Sequence, residues 1–339
     1  MISINRNTVP LALLLSLSIS LSAQDNAPSA QPEKADQNIS LNSNQPAEKV
    51  IVVTGARFSY KLVEKWIDDY NKVNPSVQII VESRGSADPL KYDILAEVYE
   101  QEEEIKNSRE YVNVGRYAIL PVATASSSFA KIYADKGLNA ELIKQIFFHD
   151  IFADQEKQKP IKAPFTVYTR LQKAGVPTVF SKYFGHEQKD IKGNGIAGAD
   201  SHLLKALLRD SSGVTYLPLP LIYDEQTRKP VEGLTVLPVD FNGNKKVSDD
   251  EKFYDNVDRV IEQLEAAEPG KVKNIPIEYL HLSVDSQNAS PEAVEFLKWV
   301  NENGQDDLHE FGYLKPEAKR FDPEKFNEFV SEHEKRQSR

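Results

Sequence analysis

The chain has 339 residues, a net charge of −10, 27% charged and 40% hydrophobic residues, and no cysteine. That length allows two domains around a sizeable core, and the acidic balance argues against nucleic acid or an anionic membrane surface as the default partner. Without cysteine there are no disulfides and no thiol to carry a lipid anchor.

Arg6, the apolar and serine-dotted residues 11–21, and the small-residue pattern Leu21-Ser22-Ala23 read as a cleavable signal peptide, residues 1–23, too short to span a bilayer. The mature protein is therefore expected in the periplasm, without a membrane anchor. Residues 24–47 are rich in Gln, Asn, Ser, Ala and Pro and read as a flexible linker.

The run Ile51-Val52-Val53-Thr54 predicts a buried strand, and Gly55 permits a sharp turn. Leu62, Val63, Trp66, Ile67 and Tyr70 then share one face of a helix. A strand turning tightly into a helix aims free N–H groups at the turn, which suits an anion, and Arg57 adds positive charge there. After Asn74-Pro75, residues 77–81 predict a second strand, 82–89 a loop, and 92–98 a third strand. Residues 100–110 are acidic and read as solvated, whereas 117–122 are a continuous apolar run expected as a buried strand.

Asn139 is placed to cap a helix carrying Leu142, Ile143, Ile146 and Phe147. Residues 165–169 predict a strand ending at Arg170, 172–178 a loop and 179–184 the start of a helix. Asp200 reads as the cap of a helix with Leu203, Leu204, Leu207 and Leu208 on one face. Residues 214–217 and 234–239 follow as strands, and Phe253, Val257, Val260, Ile261 and Leu264 recur at helical spacing. Residues 275–284 alternate as a strand does, and Ser290-Pro291 opens a helix that Gly304 ends. A last amphipathic helix points Phe326, Phe329 and Val330 inward. Strands alternating with helices predict an α/β protein with mostly parallel sheets.

Ligands of open α/β sheets bind beyond the carboxyl ends of the strands. Candidate residues at such ends are Arg57 and Phe58, then Arg84, Gly85 and Ser86, then Arg170 and Gly175. Three guanidinium groups suit an oxyanion or carboxylate, which they bind bidentately.

A second candidate runs from Asp240 to Glu251 and fits the calcium-loop pattern D-x-[DN]-x-[DN]-G-…-E, with Lys245 in the glycine slot. Asp240, Asn242 and Asn244 supply alternating oxygens, Lys246 a backbone carbonyl, Ser248 a hydroxyl or a water, and Glu251 a bidentate carboxylate, with a helix expected at once after the loop. Calcium is the one cofactor expected, as a structural ion.

Gly193-Asn194-Gly195-Ile196-Ala197-Gly198 spells GxGxxG, but no strand is predicted before it and Pro218 stands where the ribose-binding acid belongs, so it is not read as a dinucleotide site. There is no H-E-x-x-H and no G-x-S-x-G, and a non-enzyme is expected.

The opening TGARFSYKLVEKWIDDY resembles the start of phosphate-specific ABC-transporter substrate-binding proteins. In the same order, NPSVQIIVESRGSA, YDILAEV, LNAELIKQIFFHDI, FTVYTRLQKAG, GADSHLLKALLRDSSGVTYLPL and SPEAVEFLKWV resemble later segments of that family, over about residues 50–315. The resemblance implies a two-lobe periplasmic binding protein fold, each lobe a mostly parallel sheet flanked by helices, joined by two hinge crossings. Residues 48–119 and 276–339 would form the first lobe and 120–275 the second. It implies a small anionic solute in an interlobe cleft, phosphate-like or another oxyanion, and an ABC-transporter membrane component as partner.

Departures from the family are specific. Arg57 stands where a hydroxyl residue is expected, and Ala174 and Val176 where the family has serine and threonine. The helix after Ser86 looks deleted, and Val98 lies near the family's cleft aspartate. Too few donors remain to wrap four phosphate oxygens, so a bulkier anion is expected, in a cleft that is open and wet when empty. The alternative is an exported adaptor that keeps the fold but contacts a partner protein such as an outer-membrane uptake receptor.

Overall fold

The structure is a computed structural model and describes residues 50–83, 91–99, 103–149, 160–317 and 323–337. The expected signal peptide and linker, and the Arg84-Gly85-Ser86 loop with its proposed helix deletion, lie outside the described residues.

The β-branched run forms β1 (Val50–Gly55), and a 3₁₀ turn (Arg57–Ser59) leads into α1 (Tyr60–Val73). Leu62, Val63, Trp66, Ile67 and Tyr70 are all buried, as their spacing predicts, and Trp66 Nε1 donates to Gly304 O at 2.9 Å. Then come β2 (Gln78–Val81), β3 (Ile94–Glu97), α2 (Glu103–Asn107) and β4 (Arg109–Thr124). Next are α3 (Ser128–Lys136), α4 (Ala140–Phe147), β5 (Thr166–Arg170) and α5 (Gly175–Tyr183). They are followed by β6 (Asn194–Ile196), α6 (Asp200–Arg209), β7 (Gly213–Pro218), α7 (Leu219–Ile222) and β8 (Leu234–Val236). The described chain closes with α8 (Val257–Ala266), β9 (Ile277–Asp285), α9 (Pro291–Asn303) and α10 (Pro323–Gln337).

Strand order is β2-β1-β3-β9-β4-β7-β5-β6, with β8 beside β4. Parallel ladders join β1 to β2 and β3, and β5 to β6 and β7. Antiparallel ladders among these strands all involve β4 or β9. Two parallel α/β layers are thus joined through two long antiparallel strands. β4 pairs with β9 from Arg109 to Ala118 and with β7 from Ile119 to Ala123, passing from one layer to the other. Ile119 N–H donates to Pro276 O at 2.9 Å where the chain re-enters β9.

The structure corrects several expectations. Residues 100–110 were read as solvated, yet β4 begins at Arg109 and runs unbroken to Thr124. Two of its polar residues, Arg109 and Arg116, hid it, because they are buried and bonded within the fold. Arg109 Nε donates to Ser283 Oγ at 2.9 Å and its Nη2 to Ser283 O at 2.8 Å. Helix α3 was not anticipated, although Ser127 caps it by accepting from Ala130 N–H. Helix α5 starts at Gly175 rather than near 179, and β8 ends at Val236. Within the GxGxxG run, Asn194–Ile196 form strand β6, and Gly193 approaches β5 so closely that a Cβ would meet Val167 O at 2.3 Å.

Gly55 has a structural reason to be glycine. Its φ is 139°, and a Cβ would lie 2.0 Å from Ala96 O on β3. Gly55→Ala is expected to destabilise the protein by about 2–4 kcal/mol, combining backbone strain with overpacking. A urea midpoint unchanged from wild type would show that β1 and β3 do not approach in this way.

Candidate functional site

β1, β3 and β5 end on a common cavity of about 320 Å³. One wall comes from Thr54 to Phe58, Tyr60 and the residues 95–99 at and beyond the end of β3. The other comes from Arg170 at the end of β5, Ala174, Gly175 and Val176 at the start of α5, and Ala199 and Asp200 at the start of α6. Arg57, Phe58, Arg170 and Gly175, chosen from sequence, all line it.

Their environments differ. Arg57 is exposed and makes no side-chain hydrogen bond or ion pair among the described residues. Phe58 is nearly buried, its ring 5.2 Å from that of Tyr117 and 6.3 Å from that of Tyr313, so it anchors the turn to the core more than it presents a face to the cavity. Gly175 is needed for close approach: a Cβ would lie 2.5 Å from Val98 Cγ2 and 2.9 Å from Tyr99 Cδ1. Val98 is held in turn by Tyr117, whose hydroxyl donates to Val98 O at 2.6 Å. The expected open cleft is therefore narrowed, because the apolar residues after β3 pack onto the first turn of α5.

Sequence reasoning missed the charge that balances Arg170. Arg170 Nη1 lies 3.0 Å from Asp200 Oδ1, with side chains 12% and 11% exposed. The sequence suggested Asp200 only as a helix cap; in the structure Ala199 is the N-cap and Asp200 the first helical residue. The contact is close but not aligned as a hydrogen bond: Arg170 Nε and Asp200 Oδ1 are both buried with no hydrogen-bond partner among the described residues. Burial pushes the Asp200 carboxyl up from its ordinary range, against the pull of Arg170 and, more weakly, of Arg57. An acid that opens a helix at a strand's carboxyl end was the only signal for it.

Two more residues were not foreseen. Gln188 Oε1 accepts from Ala174 N–H at 3.0 Å while its Nε2 donates to Gln172 O at 2.8 Å, pinning the segment between Arg170 and α5. Glu97 lines the cavity at the end of β3, next to the position where an acid was judged missing. Its Oε2 accepts from Ser283 Oγ at 2.6 Å, and its charge helps Arg109 to resist the downward push of burial on its pKa.

The Asp240–Glu251 segment is a separate surface loop whose two end carboxylates are buried. Asp240 Oδ1 and Oδ2 accept from the N–H groups of Asn244 at 2.9 Å and Lys245 at 2.8 Å. Asn242 Oδ1 accepts from Asn244 N–H and Asn244 Oδ1 from Lys246 N–H, at 3.0 and 2.9 Å. Glu251 accepts from Asn242 N–H at 3.1 Å and from Ser248 N–H and Oγ, both at 2.9 Å. Lys245 has φ 72°, the left-handed conformation that the glycine slot demands. A 3₁₀ turn (Asp249–Glu251) closes the loop and α8 begins only at Val257, so no helix follows at once.

No family model and no curated protein matches the sequence. Solved structures do match the fold. A protein of Clostridium perfringens described as a phosphate ABC transporter substrate-binding protein with bound phosphate superposes with TM-score 0.57 at 14% identity, covering 79% of this chain and all of that one. An ABC-type phosphate transport receptor of Vibrio cholerae gives TM-score 0.52, also at 14% identity over 79% of this chain and all of that one.

Arg170→Ala is expected to cost about 3 kcal/mol of stability by leaving Asp200 without its counter-charge. An Arg170→Met/Asp200→Leu double variant should recover most of that loss. Strictly additive urea midpoints would mean that the two side chains do not interact. At this level of identity the likeness is one of fold: the chain is built on the two-lobe α/β frame of phosphate ABC-transporter substrate-binding proteins.

Proposed function

We propose that this is an exported solute-binding protein of an ABC-type uptake system that closes on a small oxyanion-bearing solute. The first lobe would comprise residues 48–119 and 276–339 and the second residues 120–275, with β4 and the entry to β9 as the hinge crossings. Both crossings lie side by side at Ala118 and Ile277, which supports that partition. The observation that carries the ligand reading is the buried Arg170–Asp200 pair on the cavity wall, which keeps unused hydrogen-bonding capacity. Native proteins seldom leave such atoms bare, and a ligand would complete them.

Among the described residues the charged side chains of the cavity balance: Arg57 and Arg170 stand against Asp200 and Glu97. A solute with an oxyanion group for the arginines and a hydrogen-bond donor for the carboxylates fits better than bare orthophosphate. With Ala174 and Val176 at the start of α5, and Val98 and Tyr99 against it, the described residues leave few donors to surround four equivalent oxygens. Binding rather than catalysis follows, with a transporter membrane component as the receiving partner.

Titration calorimetry against orthophosphate, sulfate, small carboxylates and bulkier phosphate monoesters tests this. The bulkier anions should bind best, and Arg170→Ala should weaken them by about 2–5 kcal/mol. Affinity should rise as pH falls through the raised pKa of Asp200, because protonation there frees Arg170 for the ligand; Asp200→Asn should flatten that dependence. Tight orthophosphate binding indifferent to Arg170→Ala, or no binding of any anion, would overturn the reading.

The Asp240–Glu251 loop is proposed to hold a structural calcium. Asp240, Asn242, Asn244 and Glu251 would contribute side-chain oxygens and Lys246 its carbonyl; both Asp240 oxygens and Glu251 Oε1 keep a lone pair beyond one N–H bond each, while Glu251 Oε2 would have to give up its Ser248 hydroxyl bond to reach the ion. Ser248 Oγ is engaged with Glu251, so its contribution would pass through a water. At a hundredfold excess over Kd, calcium should add about 2.7 kcal/mol of stability after chelation, and Asp240→Asn should abolish the gain. Identical melting with and without calcium would reduce the loop to a turn.

A further inference from the structure

A second cavity, of about 550 Å³, lies between the end of α1, the start of α9 and α10 and shares no described residue with the first. Tyr70, Asn74, Glu292, Glu295, His333 and Glu334 provide its polar groups, and among the described residues no lysine or arginine lines it. His333 is only 3% exposed, yet neither ring nitrogen has a hydrogen-bond partner among the described residues. Glu292 Oε2 is likewise buried and unpartnered among them. The Tyr70 phenol is pushed up by burial and then by Glu295 and Glu292, so the field of these carboxylates reaches the cavity wall.

A buried imidazole with both nitrogens bare and a buried carboxylate oxygen with nothing to accept need a partner. Water would bond to them but would not offset three carboxylates. A metal ion would offset the charge, but among the described residues no three His, Asp or Glu groups are placed to hold one. An N–H-rich organic cation does both: it donates to Glu292 Oε2 and to the acceptor nitrogen of His333, while Glu295 and Glu334 supply attraction from the exposed rim. The volume falls within the usual range for small-molecule sites.

We propose that this cavity, walled by α1, α9 and α10, is a second binding site that takes an organic cation bearing an ammonium or guanidinium group. The cation can come from a free amine or from a lysine or arginine side chain of a partner protein, and the probes separate these sources. Calorimetry on the full chain would use agmatine, spermidine, and a capped Arg-Lys-Arg peptide, with urea and acetate as neutral and anionic controls.

At least one cationic probe should bind, about tenfold more weakly to Glu292→Gln and to Glu334→Gln than to wild type, while both variants keep the wild-type melting temperature. Arg170→Ala should leave this binding unchanged, which separates the site from the cavity between the two sheets. Binding of the free amines points to a solute, and binding of the peptide alone to a protein partner. No cationic binding at about 10 mM, or binding equally strong in both glutamine variants, overturns the proposal.

Discussion

One strand carries both halves of this protein. β4 spends its first part hydrogen-bonded to β9 and its second part to β7, so neither sheet can be completed without it. The constraint is geometric: every buried backbone amide along Arg109–Thr124 must find a partner, and two sheets placed edge to edge along one strand supply most of them, with Leu314 O accepting from Arg116 N–H. The parallel strands β1, β2 and β3 are ordered on one side of this seam and β5, β6 and β7 on the other, and the carboxyl ends of β1, β3 and β5 meet at the cavity. That placement brings Arg57 and Arg170 to one wall system although 113 positions separate them in the chain.

The seam also explains why charged groups lie so deep. Arg109 on β4, Ser283 on β9 and Glu97 on β3 form a bonded row across three adjacent strands. A lone buried guanidinium would be costly, whereas one that shares its field with a carboxylate and donates to fixed oxygens is tolerated. The same rule governs Arg170 and Asp200, with one difference. The Arg109 row is joined by hydrogen bonds through Ser283, while Arg170 and Asp200 meet as an ion pair on a cavity wall.

Apolar periodicity made most of the helices and strands legible. α1, α4, α6, α8 and α9 present the buried faces that their spacing implied. Hydrophobic burial acts locally along a helix or strand, so the pattern is visible without knowing what packs against it. β4 escaped detection in its first half because Arg109, Asn113 and Arg116 look solvated until their long-range partners are known. The start of α5 escaped for a related reason: Gly175 reads as a loop residue, but in the structure it is the one residue small enough to meet Val98 and Tyr99.

The sequence alone therefore determined the α/β class of the fold and singled out two arginines that line the cavity, because these follow from periodicity and from residues at strand ends, whereas the two-lobe arrangement was implied only by the resemblance. Tertiary structure alone decided the charge balance. Asp200, Glu97 and Gln188 enter the site from elements distant in the chain, and no spacing rule links them to Arg170 or to Ala174. Coulomb forces and hydrogen bonds act through space between groups whose separation along the chain is arbitrary. What a cavity can hold is decided by that through-space sum, and the fold sets it.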